Sequence, residues 1–216
     1  MAEDAARAEG DDAIRALVVS AAERLYAERG LFAVSSAQIA EASGLYDAAL
    51  VDELFDTRAD LVRAIAGSHA RRMDPVGVKL LAGIRDPEDL REWALCLVRV
   101  MPEHLAALGG PTWFARFCAQ TIIDPAFHEI LVEETLAVPS FRRLLEGLYR
   151  CLPDLPVEVR AERISMTRNL ILQMCAMRER AFADGTAAPG STWHESAAAL
   201  LDAVVAVWRA PSTRSR

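Results

Sequence analysis

Apolar residues recur at spacings of three and four along almost the whole chain, and alternation with a period of two is nearly missing. The most regular stripe consists of Leu90, Trp93, Ala94, Leu97, Val98, Met101 and Leu105. Leu, Ala, Arg and Glu are abundant, and all are good helix formers. Short segments rich in Gly and Pro separate the stripes. The pattern predicts an all-α protein, a bundle of about nine helices joined by short loops.

Composition limits the class of protein further. The chain has 216 residues, of which 52% are hydrophobic, so a sizeable core is possible. No apolar run approaches the ~18–20 residues of a membrane span, so we expect no membrane contact and a cytoplasmic location. The cysteines lie far apart without a CxxC spacing, and we expect them to be small buried residues. They are Cys96, Cys118, Cys151 and Cys175.

No motif of a known catalytic or metal site occurs. GxSxG, P-loop and GxGxxG patterns are missing, and no histidine belongs to an HExxH motif. The histidines are His69, His104, His128 and His194. We therefore predict no metal site, no cofactor and no catalytic residue, although isolated polar groups in a cavity leave an enzyme open as an alternative.

The breaks divide the chain into two predicted domains. Residues 11–58 contain three short helices, and residues 59–210 contain longer ones, between loose tails at 1–10 and 211–216. Ser35 or Ser36 can cap the second helix, and Thr57 can cap the fourth. Pro75 and Gly77 mark the predicted boundary region, where short helices give way to long ones.

Several segments in this order resemble the TetR family of transcriptional regulators. In the first domain they are residues 27–32 (AERGLF), Ser35 with 39–44 (IAEASG), and 53–63 (ELFDTRADLVR). In the second domain, the segments that resemble an actinobacterial-type subgroup of the family are 113–120, 124–125, 155–163, 175–181 and the helix that follows Trp193. The resemblance covers residues 12–211.

The resemblance implies a helix-turn-helix domain whose third helix lies in the major groove of double-stranded DNA. It also implies a homodimer formed by the last two long helices and a small-molecule ligand in the second domain, coupled to DNA binding. By analogy, the residues that contact DNA are Ser35, Ser36, Tyr46, Asp47 and Arg58. Each has a structural alternative, such as a helix cap for Ser35 or an ion pair with Asp56 or Asp60 for Arg58.

The segment that should contact DNA departs from the family pattern. Between Gly44 and Phe55 it is one residue longer than usual, and it is acidic. Its carboxylates, with no basic residue before Arg58, are Asp47, Asp52, Glu53 and Asp56. Residues 1–70 contain six arginines against thirteen carboxylates, which accounts for the whole net charge of −7. DNA-binding domains usually have the opposite sign, because neutralisation of phosphates supplies most of their affinity.

The ligand candidates lie on helices that enclose ligand in similar proteins. They are Met101, His104, Trp113, Phe117, Gln120, Met166, Asn169, Gln173 and Met174. Asn169 and Gln173 lie four residues apart on one helix face, where they can bind ligand or pair across the dimer interface. The first hypothesis is a ligand-responsive dimeric repressor with a mostly apolar ligand. The alternative is a related protein that has lost DNA binding and uses its cavity as a small-molecule binder or a cofactor-free enzyme.

Overall fold

The computed structural model describes residues 2–152 and 154–212, and this part of the chain is all-α, with no strand. It confirms the predicted fold class. One 3₁₀ turn, Leu31–Ala33, follows the first helix. The α-helices are α1 (Ala2–Arg29), α2 (Ser36–Ala42), α3 (Ala49–Leu54), α4 (Arg58–Leu81), α5 (Leu90–Leu108), α6 (Phe114–Thr121), α7 (Pro125–Ala137), α8 (Pro139–Arg150), α9 (Val157–Ala183) and α10 (Trp193–Arg209).

Helix α1 is longer than the sequence predicts. It begins at Ala2, so most of the predicted N-terminal tail is helical, while Met1 lies outside the described residues. An Ala-rich segment with acidic residues near a helix N-terminus favours this extension. Of the predicted C-terminal tail, 211–212 lie beyond α10 and 213–216 are outside the described residues.

Local capping fixes the ends of the N-terminal helices. The Ser35 hydroxyl accepts a hydrogen bond from the backbone N–H of Gln38, and the Gln38 side chain accepts one from the Ser35 N–H. Thr57 and Asp60 form the same reciprocal pair at the start of α4. These caps satisfy backbone donors that a short helix leaves unpaired, and they make the start of α2 and α4 a property of local sequence.

Helix α4 continues through Pro75 and Gly77, the residues that mark the predicted boundary region, so no helix ends there. Proline removes one backbone hydrogen bond from a helix, but packing of α4 against α5, α7 and α8 compensates. At this point α4 crosses the start of α8, where an Asp74 carboxylate oxygen accepts a hydrogen bond from the Ser140 N–H at 3.0 Å. A Cβ on Gly77 would lie 2.4 Å from Ser140 Oγ, so glycine permits this close crossing. One helix therefore belongs to both halves of the molecule.

Buried polar contacts connect the helices of the C-terminal bundle. Glu179 on α9 accepts hydrogen bonds from the backbone N–H of Arg116 at 2.9 Å and from its Nε at 3.1 Å. This pair holds the start of α6 against α9. Arg163, also on α9, donates to the carbonyls of Trp208 and Ala210 at the end of α10. Charge-assisted bonds of this kind fix how α6, α9 and α10 lie against one another.

Candidate functional site

The recognition segment, residues 44–58, contains α3 and the turns on either side of it. Helix α3 has only six residues, and Asp47 supports its start by accepting a hydrogen bond from the Ala49 N–H at 2.9 Å. Val51 and Phe55 are buried and anchor the segment to α1 and α2. Tyr46 is fully exposed at the preceding turn. The segment therefore has the helix-turn-helix arrangement with a very short third helix.

The outer face of the recognition segment is acidic. Asp47, Asp52, Glu53 and Asp56 are all exposed. Asp52 accepts a hydrogen bond from the Ser36 hydroxyl at 2.6 Å, so this candidate phosphate contact already has a carboxylate partner. Two unit charges about 4 Å apart repel by ~1 kcal/mol in water, so each carboxylate near a phosphate weakens DNA binding.

The arginines next to this face bond inward. Arg58 donates from Nη2 to the carbonyl of Val34 at 3.1 Å and lies over the Phe32 ring. Arg15 donates from Nη1 to the carbonyl of Leu54 at 2.9 Å. These contacts of Arg58 differ from an ion pair with Asp56 or Asp60, the alternative that the sequence leaves open. Both arginines connect helices of the N-terminal domain.

A cavity of about 420 Å³ lies inside the C-terminal bundle, between α4, α5, α6, α7, α8 and α9. We call it the C-terminal cavity. Its volume falls within the range of ~300–1,000 Å³ that is typical of small-molecule sites. Its lining is almost wholly apolar and consists of Ala66, Ala70, Met73, Gly77, Leu97, Val100, Met101, Phe114, Cys118, Leu131, Val132, Thr135, Leu136, Val138, Ser140, Phe141, Leu144, Leu145, Tyr149, Ile164, Arg168, Ile171 and Leu172.

The polar groups of the lining differ in how well they are satisfied. Thr135 donates its hydroxyl hydrogen to the carbonyl of Leu131 at 2.7 Å. Arg168 has a buried Nε without a hydrogen-bond partner, and its Nη2 lies 3.5 Å from the Ser165 hydroxyl. Burial lowers the pKa of Arg168 and raises the pKa of Tyr149, an effect that Arg160 partly offsets. Arg168 is the only charged side chain among the lining residues described above.

The structure places one of the nine ligand candidates, Met101, in this cavity. Phe117 is fully buried and stacks on Tyr26 of α1, with ring centroids 6.4 Å apart. Trp113 lines a separate polar cleft beside α1 and α4. Gln120 is exposed at the end of α6. The four candidates on α9 all lie on its exposed face: Met166, Asn169, Gln173 and Met174.

His104 belongs to a buried chain of polar groups instead of the cavity lining. Its Nε2 lies 2.7 Å from Nδ1 of His69, and Nε2 of His69 lies 2.9 Å from Oε2 of Glu23. Because a carboxylate only accepts, Nε2 of His69 donates to Glu23, and one hydrogen lies between the facing ring nitrogens of His69 and His104. Burial, His69 and Arg72 lower the pKa of His104 to about 4. The chain connects α1, α4 and α5.

The sequence analysis missed Arg168, although a signal for it exists. Helical spacing puts Arg168 on the same face as Ile164, Ile171 and Leu172, all of which line the cavity. An arginine within an apolar stripe is unusual, because a buried charge without a partner is costly. The opposite, exposed face of α9 contains the amide and sulfur side chains that the sequence favours as ligand contacts.

Neither a metal site nor a membrane span is found among residues 2–152 and 154–212. No group of three or more His, Cys, Asp or Glu side chains lies close enough there to hold a metal ion. None of the helices in these ranges has the length and apolar content needed to cross a membrane.

Known proteins resemble this chain both in sequence and in fold. A family model described as "Tetracyclin repressor-like, C-terminal domain" matches residues 96–209, more than half of the chain. A comparison with curated protein sequences found no match.

Three solved protein structures resemble the fold over nearly the whole chain. A protein from Shewanella sp. PV-4, described as a TetR-family transcription regulator, has 15% identity and a TM-score of 0.60, with 93% of this chain and 99% of that chain covered. PfmR from Thermus thermophilus has 21% identity and a TM-score of 0.52, covering 87% and 96%. RolR, solved with resorcinol, has 22% identity and a TM-score of 0.50, covering 96% and 98%. The chain belongs to the TetR family and has the fold of its transcriptional regulators.

Proposed function

We propose that the protein is a ligand-responsive dimeric transcriptional repressor, in which an apolar small molecule in the C-terminal cavity controls binding of the recognition segment to operator DNA. The observation that supports this most is the position of α4. The helix begins at Arg58, at the end of the recognition segment, and its residues from Ala66 to Gly77 line the cavity. A ligand in the cavity would contact the helix that positions α3, which is the physical requirement for coupling.

The proposed DNA contacts follow the family arrangement. Tyr46 and Asp47 stand at the exposed entrance to α3, and Ser35 and Ser36 stand at the N-terminus of α2. Backbone N–H groups at a helix N-terminus attract phosphate, and the Tyr46 hydroxyl is free of steric cover. Because Arg58 bonds the Val34 carbonyl, we assign it a structural role first, and a phosphate contact only if that bond opens.

The proposed dimer uses α9 and α10. Met166, Leu170, Met174 and Met177 form an exposed apolar face on α9. Beside it, α10 exposes a row of small side chains that permits close helix packing: Ala198, Ala199, Ala203 and Ala206. Asn169 and Gln173 lie on the same exposed face of α9, so they fit the interface role better than a role in the cavity. Sedimentation that shows a monomer at micromolar concentration would contradict the dimer.

A second function is favoured by the acidic recognition segment. A protein that has lost DNA binding would keep the C-terminal cavity as a small-molecule site, or as a cofactor-free active site. Exposed carboxylates on the proposed DNA face, together with inward-bonded Arg15 and Arg58, support this alternative. The two proposals differ in one observable, which is DNA binding by the folded dimer.

Selection from a pool of genomic duplex fragments tests the proposal. The purified full-length protein is incubated with the pool at about 50 mM and about 200 mM salt. We expect specific fragments to be retained at the lower salt and to be lost steeply at the higher salt, because phosphate contacts release counterions. No retention by a folded dimer at the lower salt would overturn the repressor proposal and favour the second function. A cytoplasmic location is part of the same proposal.

A further inference from the structure

Arg168 is the one charged side chain in the lining of the C-terminal cavity, so an anion bound there would supply its counter-charge. Every other lining residue is apolar or an uncharged polar side chain. Burying a guanidinium without a counter-charge is costly, so a folded chain normally pairs it or leaves it in water. Arg168 is about half-buried, and its Nε has no hydrogen-bond partner. Arg168 therefore brings to the cavity lining a guanidinium whose Nε has no partner and whose Nη2 bonds only the Ser165 hydroxyl, at 3.5 Å.

The described residues supply no anion to Arg168. The other buried arginines of α9 and α6 have partners: Arg163 bonds two backbone carbonyls, and Arg116 bonds Glu179. Among the described residues no carboxylate forms an ion pair with Arg168, and burial is what lowers its pKa. This contrast shows that the fold can satisfy a buried arginine when the role is structural.

A second unsatisfied nitrogen lies near Arg168. His128 on α7 has a buried Nε2 without a hydrogen-bond partner. Arg168 is near enough for its charge to lower the pKa of His128, after the larger effect of burial. His128 comes one helical turn before Leu131 and Val132, which line the cavity. His128 itself is not among the residues that line the cavity, so the proposal rests on Arg168.

We propose that the C-terminal cavity binds an apolar molecule with one carboxylate, which pairs with the Arg168 guanidinium while the hydrocarbon or aromatic body fills the apolar space. The inference rests on the proposed function, because it names the ligand class of the same cavity. A carboxylate can accept two parallel N–H bonds from a guanidinium, which gives both energy and orientation. The apolar lining rejects a second charged group, so molecules with charges at both ends are excluded.

Binding of matched acids and alcohols tests this proposal. Isothermal titration of the full-length dimer uses decanoate and 4-phenylbutyrate, with 1-decanol and 4-phenyl-1-butanol as uncharged partners of the same skeleton. All are kept below the concentration at which they form micelles. We expect one acid per chain, bound at least about 10-fold more tightly than its alcohol, since a hydrogen bond to a charged group is involved.

Substitutions of Arg168 show whether this residue makes the difference. Arg168→Met should weaken binding of the acid by about 10- to 100-fold and leave the alcohol unchanged, whereas Arg168→Lys should keep most of the preference. Arg142→Met, an exposed arginine on α8, is the matched control and should change neither. Circular dichroism and thermal unfolding check that each variant is folded.

The outcomes distinguish failure of the carboxylate inference from failure of the cavity as a ligand site. Equal binding of acid and alcohol by the unmodified protein, or an acid preference that survives Arg168→Met, overturns the carboxylate inference while the cavity remains a ligand site. Failure of all four probes to bind contradicts both the inference and the assignment of the cavity as a ligand site. DNA binding is measured separately, so loss of the repressor proposal would not be mistaken for either result.

Discussion

The two regions that α4 connects are built by different kinds of interaction. The recognition segment has one six-residue helix, a reciprocal cap at its C-terminal border and a few buried anchors such as Val51. The C-terminal bundle has long helices, close glycine crossings and buried ion pairs such as Arg116 with Glu179. A local cap fixes the start of α4 at the border of the first region, and Arg15 and Ser36 bond to this region from α1 and α2. In the second region, buried contacts between distant segments are more numerous.

The largest expected effect concerns the buried ion pair. Glu179→Ala would leave the Arg116 guanidinium buried without its partner, and we expect the free energy of unfolding to fall by about 3–5 kcal/mol. Glu133→Ala is the matched control, because its pair with Arg63 is about half exposed and should contribute about 0–1 kcal/mol. Urea unfolding of both variants measures the difference. Equal losses would mean that the bundle does not depend on buried polar contacts.

The next prediction concerns the C-terminal bundle, where glycine allows two helices to cross closely. A Cβ on Gly147 of α8 would lie 2.1 Å from the Trp93 ring of α5, so Gly147→Ala should destabilise the fold by about 1–3 kcal/mol through overpacking. Gly10 lies within α1 with nothing inside 4 Å of its Cβ position. Gly10→Ala should therefore stabilise by about 0.5–1 kcal/mol. A neutral Gly147→Ala would show that α5 and α8 can separate without cost.

His104 should make stability depend on pH at the junction between the regions. Its pKa falls from 6.5 to about 4 in the folded protein, so the unfolded chain binds the proton more readily. Stability is fully present above pH ~6.5 and is lost as pH falls towards 4, by about 1–3 kcal/mol. Denaturant unfolding at several pH values measures the slope for the unmodified protein and for His104→Gln, which should lose part of it. An unchanged slope would contradict the buried neutral state.

The smallest effect concerns the caps of the N-terminal region. Thr57→Ala removes the hydroxyl that accepts the Asp60 N–H at the start of α4, and we expect a loss of about 1 kcal/mol. Ser20→Ala, at an exposed position inside α1, is the control and should be neutral or slightly stabilising. If Thr57→Ala costs nothing, the border of the recognition segment is held by tertiary contacts instead.

The helix caps next to the recognition segment can be predicted from the sequence, whereas the packing of the C-terminal bundle cannot. The caps at Ser35 and Thr57 follow from side chains three residues from their partners, so local chemistry is enough to find them. The cavity depends on which face of α9 meets α7 and α8, which the periodicity of α9 does not determine because both faces contain apolar residues. For that reason the sequence predicts Met166 and Met174 as cavity residues and does not predict Arg168.

Pro75 shows the same limit of prediction from local sequence. Pro75 is a strong local signal for a helix end, yet α4 passes through it because three other helices pack around the helix on both sides of that residue. The acidity of the recognition segment can be predicted from the sequence, because counting charges requires no knowledge of packing. The hydrogen bonds of Arg15 and Arg58 cannot be predicted in this way, because each arginine reaches a carbonyl on a different segment.

The central claim is that α4 couples the C-terminal cavity to the recognition segment. Ala70 of α4 faces the cavity, and Ala70→Phe would fill part of that space without any ligand. The most direct measurement is the affinity of this variant, relative to the unmodified protein, for a fragment retained in the genomic selection. We predict a change of at least about 5-fold, with the variant still folded and dimeric. An equal affinity in the two proteins, or no fragment retained by either, would contradict the claim.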